Sequence, residues 1–193
     1  MTEAQILLLL AVRLRSRAAA DDIEETFITL GGEAPRFESL LADAESLDQV
    51  RVRGEEPRRS LTGAGEAELA AHLGAETERV GRADLVTAYE AFLPLNRAFL
   101  AALSTSASPS EVAVAEVASL VVRLGPVLAA LEEKLDRFAG YAARFAAAVS
   151  RAATDPRWVA GASIDSIHTI WFELHEHLLA TLGRDRSQES TLQ

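Results

Sequence analysis

The chain has 193 residues, 49% hydrophobic and 25% charged, enough to bury a substantial core and too apolar for global disorder. It has no cysteine, which excludes disulfides, thiolate metal sites and a cysteine nucleophile and suits a reducing, cytoplasmic setting. A formal net charge of −10 opposes nonspecific attraction to phosphate, so any nucleic-acid reading requires a local positive field.

The chain opens on an apolar run, Ile6 to Val12, preceded by Glu3 and followed by Arg13, Arg15 and Arg17. That charge order is the reverse of a secretory signal, and the run is far shorter than the roughly 20 apolar residues that span a bilayer, so no membrane partner is expected. The spacing of Ile6, Leu7, Leu10, Leu14 and Ala18 instead predicts a buried helix over 3–17, with Thr2 as its cap. Asp21 and Asp22 start a second helix with Ile23, Phe27 and Leu30 inward and Gly31-Gly32 as its stop. A third begins near Pro35, buries Phe37, Leu40, Leu41 and Ala44, and ends near Leu47.

Val50-Arg51-Val52-Arg53 alternates as a strand does, Gly54-Glu55-Glu56-Pro57 is a turn, and Arg58-Arg59-Ser60-Leu61 returns as a second strand. Thr62 is placed to cap a fourth helix, about 63–73, with Glu66 near the capping-box position. Three helices, a basic hairpin and a helix opened by Leu61, Thr62, Gly63, Ala64 and Gly65 form the order of a winged helix-turn-helix. Over about residues 4–75 this resembles the wing region of the MarR and PadR families of regulators, in which a basic hairpin leads into a Leu-Thr-x-x-Gly helix start. The resemblance implies a DNA-binding regulator. In such a module Arg51, Arg53, Arg58 and Arg59 lie where phosphates run, and Arg36 and Ser39 open the recognition-type third helix. Against this stand Glu38, Asp43 and Glu45 in that helix, and a balance over residues 1–75 of 8 Arg against 14 Asp and Glu. An equally physical reading makes the arginines a solvated hairpin on a protein-docking scaffold.

From residue 76 on the pattern is helix after helix. Residues 82–103 carry Leu85, Tyr89, Phe92, Leu95, Phe99 and Leu103 on one stripe, with Pro94 as a kink. Ser108-Pro109-Ser110-Glu111 is a strong start signal for a helix to about Leu124, and Gly125-Pro126 interrupts or bends it. Val127, Leu128, Leu131, Leu135 and Phe138 continue a buried face towards a helix around 141–151, Asp155-Pro156 marks a loop, and Ser163 or Asp165 starts a last helix reaching Leu182. The fold class expected is mainly α: a winged helix-turn-helix with a two-stranded β-hairpin over 1–75, a carboxy-terminal helical bundle for dimerisation or ligand binding over 76–184, and a frayed tail over 185–193. The second half also resembles uncharacterised regulator-like proteins of high-GC bacteria, through the run from His168 to Glu176 and through Tyr89, Phe92, Leu93 and Asn96. The stretch Leu103 to Val114 departs from that pattern.

The last helix gathers His168, Trp171, Phe172, His175 and His177, with His168, Trp171 and His175 near one face and Glu173 and His177 as a separate i,i+4 pair. The spacing is not that of a zinc helix, and the sequence implies no metal and no cofactor. Two readings of this face are preferred over a metal site completed by partners from elsewhere in the chain: satisfied core groups, or an effector pocket lined by Tyr89, Asn96, His168, Trp171 and His175. No phosphate loop or Gly-x-Ser-x-Gly setting is present, so no catalysis is expected. The function expected is a DNA-binding transcriptional regulator that dimerises through the stripes at 85–103 and 127–138, binds double-stranded DNA and responds to a small-molecule effector. The alternative is an adaptor or ligand-binding module that does not bind DNA.

Overall fold

An α-helix that is apolar on every side has to be wrapped by other elements, and the first helix is one. It is α1, Glu3–Arg15, capped by Thr2 and Gln5 in a reciprocal capping box, and every residue from Leu7 to Val12 is buried. Around it pack α2 (Ala20–Thr29), α3 (Phe37–Ser46, entered through a 3-10 turn at Ala34–Arg36), the strand β2 (Arg58–Leu61) and α4 (Gly63–Val80). A computed structural model describes residues 1–104, 111–161 and 164–185. Within them the chain is mainly helical with a two-stranded antiparallel sheet, as expected. The start signal at Ser108, the candidate start at Ser163 and most of the tail lie outside the described residues.

The sheet pairs β1 (Val50–Arg53) with β2 in the register Val50 to Leu61, Arg51 to Ser60, Val52 to Arg59 and Arg53 to Arg58. Val50 and Leu61 are buried in the core that α1 anchors. Two departures from the expected boundaries occur near this sheet. First, α1 stops at Arg15, because Ser16 and Arg17 take positive φ (24° and 60°) and turn the chain so that Ala18 bridges to Arg59, whose amide donates to the Ala18 carbonyl at 2.8 Å. Second, α4 continues past residue 73 to Val80, since Gly74 sits in open space and interrupts nothing, and the stop is Gly81 at φ 108°.

The Leu-Thr-x-x-Gly helix start has a physical cause in these contacts. The Thr62 hydroxyl donates to the Asp48 carbonyl and accepts from the Gly65 amide at 3.1 Å, so one side chain fastens the loop before β1 to the first turn of α4. Gly65 completes the junction: a Cβ there would lie 2.1 Å from the Gln49 carbonyl oxygen, so only a bare Cα allows the approach. Glu66 is not part of a capping box. It pairs with Arg13 of α1.

The remaining elements are α5 (Arg82–Ser104), α6 (Glu111–Lys134), a 3-10 turn at Asp136–Phe138, α7 (Gly140–Ala152), α8 (Arg157–Ala160) and α9 (Ile167–Leu182). By contact density the chain divides into one unit of Met1–Val80 with the residues from Glu176 onward, and a second unit of Gly81–His175. Thr77 of α4 donates to the carbonyl of Thr181 at 2.7 Å, a buried tie inside the first unit.

In the second unit α5 packs along α6, with the Lys134 ammonium 2.7 Å from Asp84 closing the pair at one end. Gly125-Pro126 does not interrupt α6. Both residues are on its exposed side, where water can serve the carbonyl that a proline leaves without a helical donor. The start of α9 is set by Ser166, whose hydroxyl accepts from the Thr169 amide at 3.2 Å, and not by Asp165, whose carboxylate is held by Arg144. Asp155-Pro156 leads into the short α8, with the Asp155 carboxylate accepting from the Arg157 amide at 3.1 Å.

Candidate functional site

Alternate residues of a strand face opposite sides, and the register decides which arginines of the hairpin share a face. Val50, Leu61 and Arg59 lie on the side that meets the core. The Arg59 guanidinium is mostly buried there and donates from Nε to Glu45 of α3 at 2.8 Å. Arg51, Arg53 and Arg58 lie on the other side together with Ser60, and all three arginines are exposed. Arg51 donates to the Ser60 hydroxyl at 3.1 Å. Arg58 is paired with Glu56 at 3.0 Å, but the two side chains are 48% and 86% exposed, so the pair is worth at most about 1 kcal/mol and yields readily to a stronger anion. Arg53 has no ion pair among the described residues.

The hairpin arginines expected to act as one set therefore divide. Three make an outward cationic face, and the fourth joins the hairpin to α3. Arg36 at the start of α3 is exposed and stands 4.0 Å from Glu33, while the Ser39 hydroxyl donates back to the Arg36 carbonyl at 3.0 Å. The exposed side of α3 beyond them carries Glu38 and Asp43, and its charge is negative.

The second candidate set forms part of the core of the second unit. Trp171 stacks on Phe99 with centroids 4.3 Å apart and planes 10° from parallel, meets the edge of Phe145 at 5.9 Å, and donates its indole N–H to the Asn96 side-chain oxygen at 3.0 Å. His175 packs on Phe92 at 5.3 Å, His168 lies 6.2 Å from Phe99, and Tyr89 is buried on the same stripe of α5. The structure thus brings Asn96, His168, Trp171 and His175 around Phe92 and Phe99, with the indole and amide already satisfying each other.

Beside this cluster is a polar network built on Arg144, a residue that was not among the expected site residues. Arg144 of α7 reaches both carboxylate oxygens of Asp165, at 2.7 and 3.1 Å, and both of Glu173 in α9, at 2.6 and 2.9 Å. The Tyr141 hydroxyl donates to the same Glu173 at 3.3 Å. Burial acts against the Arg144 charge, but the hydrogen bonds and Coulomb attraction of Glu173 and Asp165 outweigh it and hold the guanidinium above its ordinary pKa. The one sequence signal was a carboxylate, Glu173, in the most apolar helix of the chain, where a buried charge demands a partner.

A cleft of about 220 Å3 in the first unit is lined by Arg13, Glu66, Leu69, Leu73, Leu179 and Arg184, none of them an expected site residue. Among the described residues no three His, Asp or Glu side chains converge on a possible metal position. No family model, no curated protein and no solved structure matches the chain.

Proposed function

We propose that residues 1–75 form a winged helix-turn-helix of the kind found in MarR- and PadR-like regulators, and that the chain is a cytoplasmic DNA-binding transcriptional regulator that holds the duplex mainly through its wing. The observation that carries this reading is the outward face of the hairpin, where Arg51, Arg53 and Arg58 gather with no carboxylate that binds them strongly. Guanidinium groups on a narrow two-stranded ribbon suit the phosphates and minor-groove edge that a wing reaches. Arg36 and Ser39 then flank the backbone at the start of α3. Arg59, paired with Glu45, is assigned to the scaffold. Glu38 and Asp43 make α3 a poor reader of phosphate-lined grooves, so affinity in this reading is carried by the wing and falls steeply with salt.

The same acidic face of α3 favours a second reading, a protein-docking adaptor on the same scaffold. The cluster around Trp171 is assigned to the core, since its one indole N–H and the Asn96 oxygen already satisfy each other, and it carries no effector proposal. Selection of bound duplexes from a randomised pool at low salt tests the first reading. Enrichment of a common sequence supports it, and failure to retain any duplex leaves the adaptor.

A further inference from the structure

A third segment reaches the base of the hairpin. The antiparallel bridge from Ala18 to Arg59 lays the end of the α1–α2 connection along the free edge of β2, and one residue back along that bridge Arg17 comes beside Ser60. On the other side of Ser60 stands Arg51, its partner in the register, whose Nε donates to the Ser60 hydroxyl at 3.1 Å. Neighbouring strands lie about 4.8 Å apart, so the two arginines flank one hydroxyl from backbone positions roughly 10 Å apart. A serine hydroxyl that accepts from a guanidinium keeps its own proton to give. Among the described residues that proton has no acceptor.

The backbone at Arg17 supplies a second observation. Its φ is 60°, a left-handed conformation that glycine takes freely and a residue with a Cβ takes only at a cost. Gly31, Gly54, Gly81 and Gly183 fill such positions elsewhere. Here the chain places an exposed arginine whose side chain makes no hydrogen bond or ion pair among the described residues, so nothing within the fold offsets the strain. Strain held in this way is a mark of function.

We propose that Arg17, Ser60 and Arg51 form a phosphate subsite at the base of the wing, where a phosphodiester group of the duplex accepts from the Ser60 hydroxyl and from both guanidinium groups. The inference rests on the duplex-binding reading and extends it. Arg53 and Arg58 pair next to the hairpin turn, and Arg51 and Ser60 pair two residues nearer the core, roughly 7 Å away along the strands. The outward residues of the two strands include no carboxylate, so the cationic face continues from the tip to this subsite, as contact with an evenly charged backbone requires.

The test uses the full chain and a duplex at low salt. Arg17→Gly should leave the thermal unfolding midpoint unchanged or higher, because glycine takes the left-handed turn without strain. The same change should weaken duplex affinity about fivefold or more and flatten the slope of log affinity against log salt by about one, whereas Arg17→Lys should keep that slope. Ser60→Ala removes a donor but no charge, and should weaken affinity about threefold to tenfold at an unaltered slope. Two results overturn the subsite while Arg53→Ala still flattens the slope and the wing reading stands. One is an affinity indifferent to Arg17→Gly or to Ser60→Ala; the other is a loss at Arg17→Gly matched by a lowered unfolding midpoint, which makes the residue structural. A chain that retains no duplex overturns both readings together.

Discussion

The arginines of the hairpin and Arg144 of α7 carry the same group into opposite situations. Arg51, Arg53 and Arg58 stand in water with at most one exposed partner, where an ion pair contributes little and the charge stays available to a visiting anion. Arg144 is only 15% exposed and gives its donors to two carboxylates, one of them 5% exposed, so its charge is consumed within the fold. What separates an arginine whose charge stays open from a structural one is thus the carboxylate that the fold places beside it. Arg59 shows the rule within a single strand, since one step along β2 moves it from the open face to Glu45.

The largest effect that sharpens the contrast is expected at Arg144. Arg144→Ala removes the cationic partner of the buried Glu173 carboxylate and should cost about 3–5 kcal/mol of stability, read by denaturant titration of tryptophan fluorescence; both tryptophans, Trp158 and Trp171, lie in the second unit. A loss below about 1 kcal/mol would place Arg144 with the exposed arginines and break the comparison. Next is Gly65→Ala, which forces a methyl against the Gln49 carbonyl and should cost about 1–3 kcal/mol by thermal unfolding, while Gly63→Ala, in open space, should be tolerated. Asn96→Ala leaves the Trp171 indole N–H without its acceptor in the core and is expected to cost a similar 1–3 kcal/mol or so. On the hairpin, Arg53→Glu should change stability by no more than about 0.5 kcal/mol.

The smallest effect is at Asp155, whose partly exposed carboxyl is held below its ordinary range by the Arg157 side chain and amide. As for any depressed carboxyl, the stabilisation is in place at neutral pH and is lost only as the pH falls through the lowered value. A carboxyl-carbon NMR titration should show Arg157→Gln moving that midpoint upward.

The longer helices, the hairpin and its turn were legible in the sequence because each rests on local periodicity and punctuation: Val50 to Arg53 alternates, Gly31 follows the end of α2, and Thr62 caps α4, whereas the single turn of α8 after Asp155-Pro156 was read only as loop. What was not legible depends on residues far apart in the chain. Glu66 looked like a capping residue, but Arg13 claims it across α1 and α4. Gly125-Pro126 reads as a break until the exposed side on which it falls is known. For the candidate site, the four hairpin arginines were identified from sequence, but their division into three outward and one tied to Glu45 required the register. Arg144 and Asp165, 21 residues apart, gave no sign of each other.

The claim on which the functional account turns is that the open hairpin face holds duplex phosphates. It is tested most directly by the slope of log affinity against log salt for a duplex, measured for the unaltered chain and for variants with Arg51, Arg53 and Arg58 replaced singly and together by Ala. The account predicts measurable binding at low salt and a slope that flattens by about one for each arginine removed, with Arg59→Ala falling outside that series. No binding at low salt, or a slope indifferent to all three replacements, would contradict it.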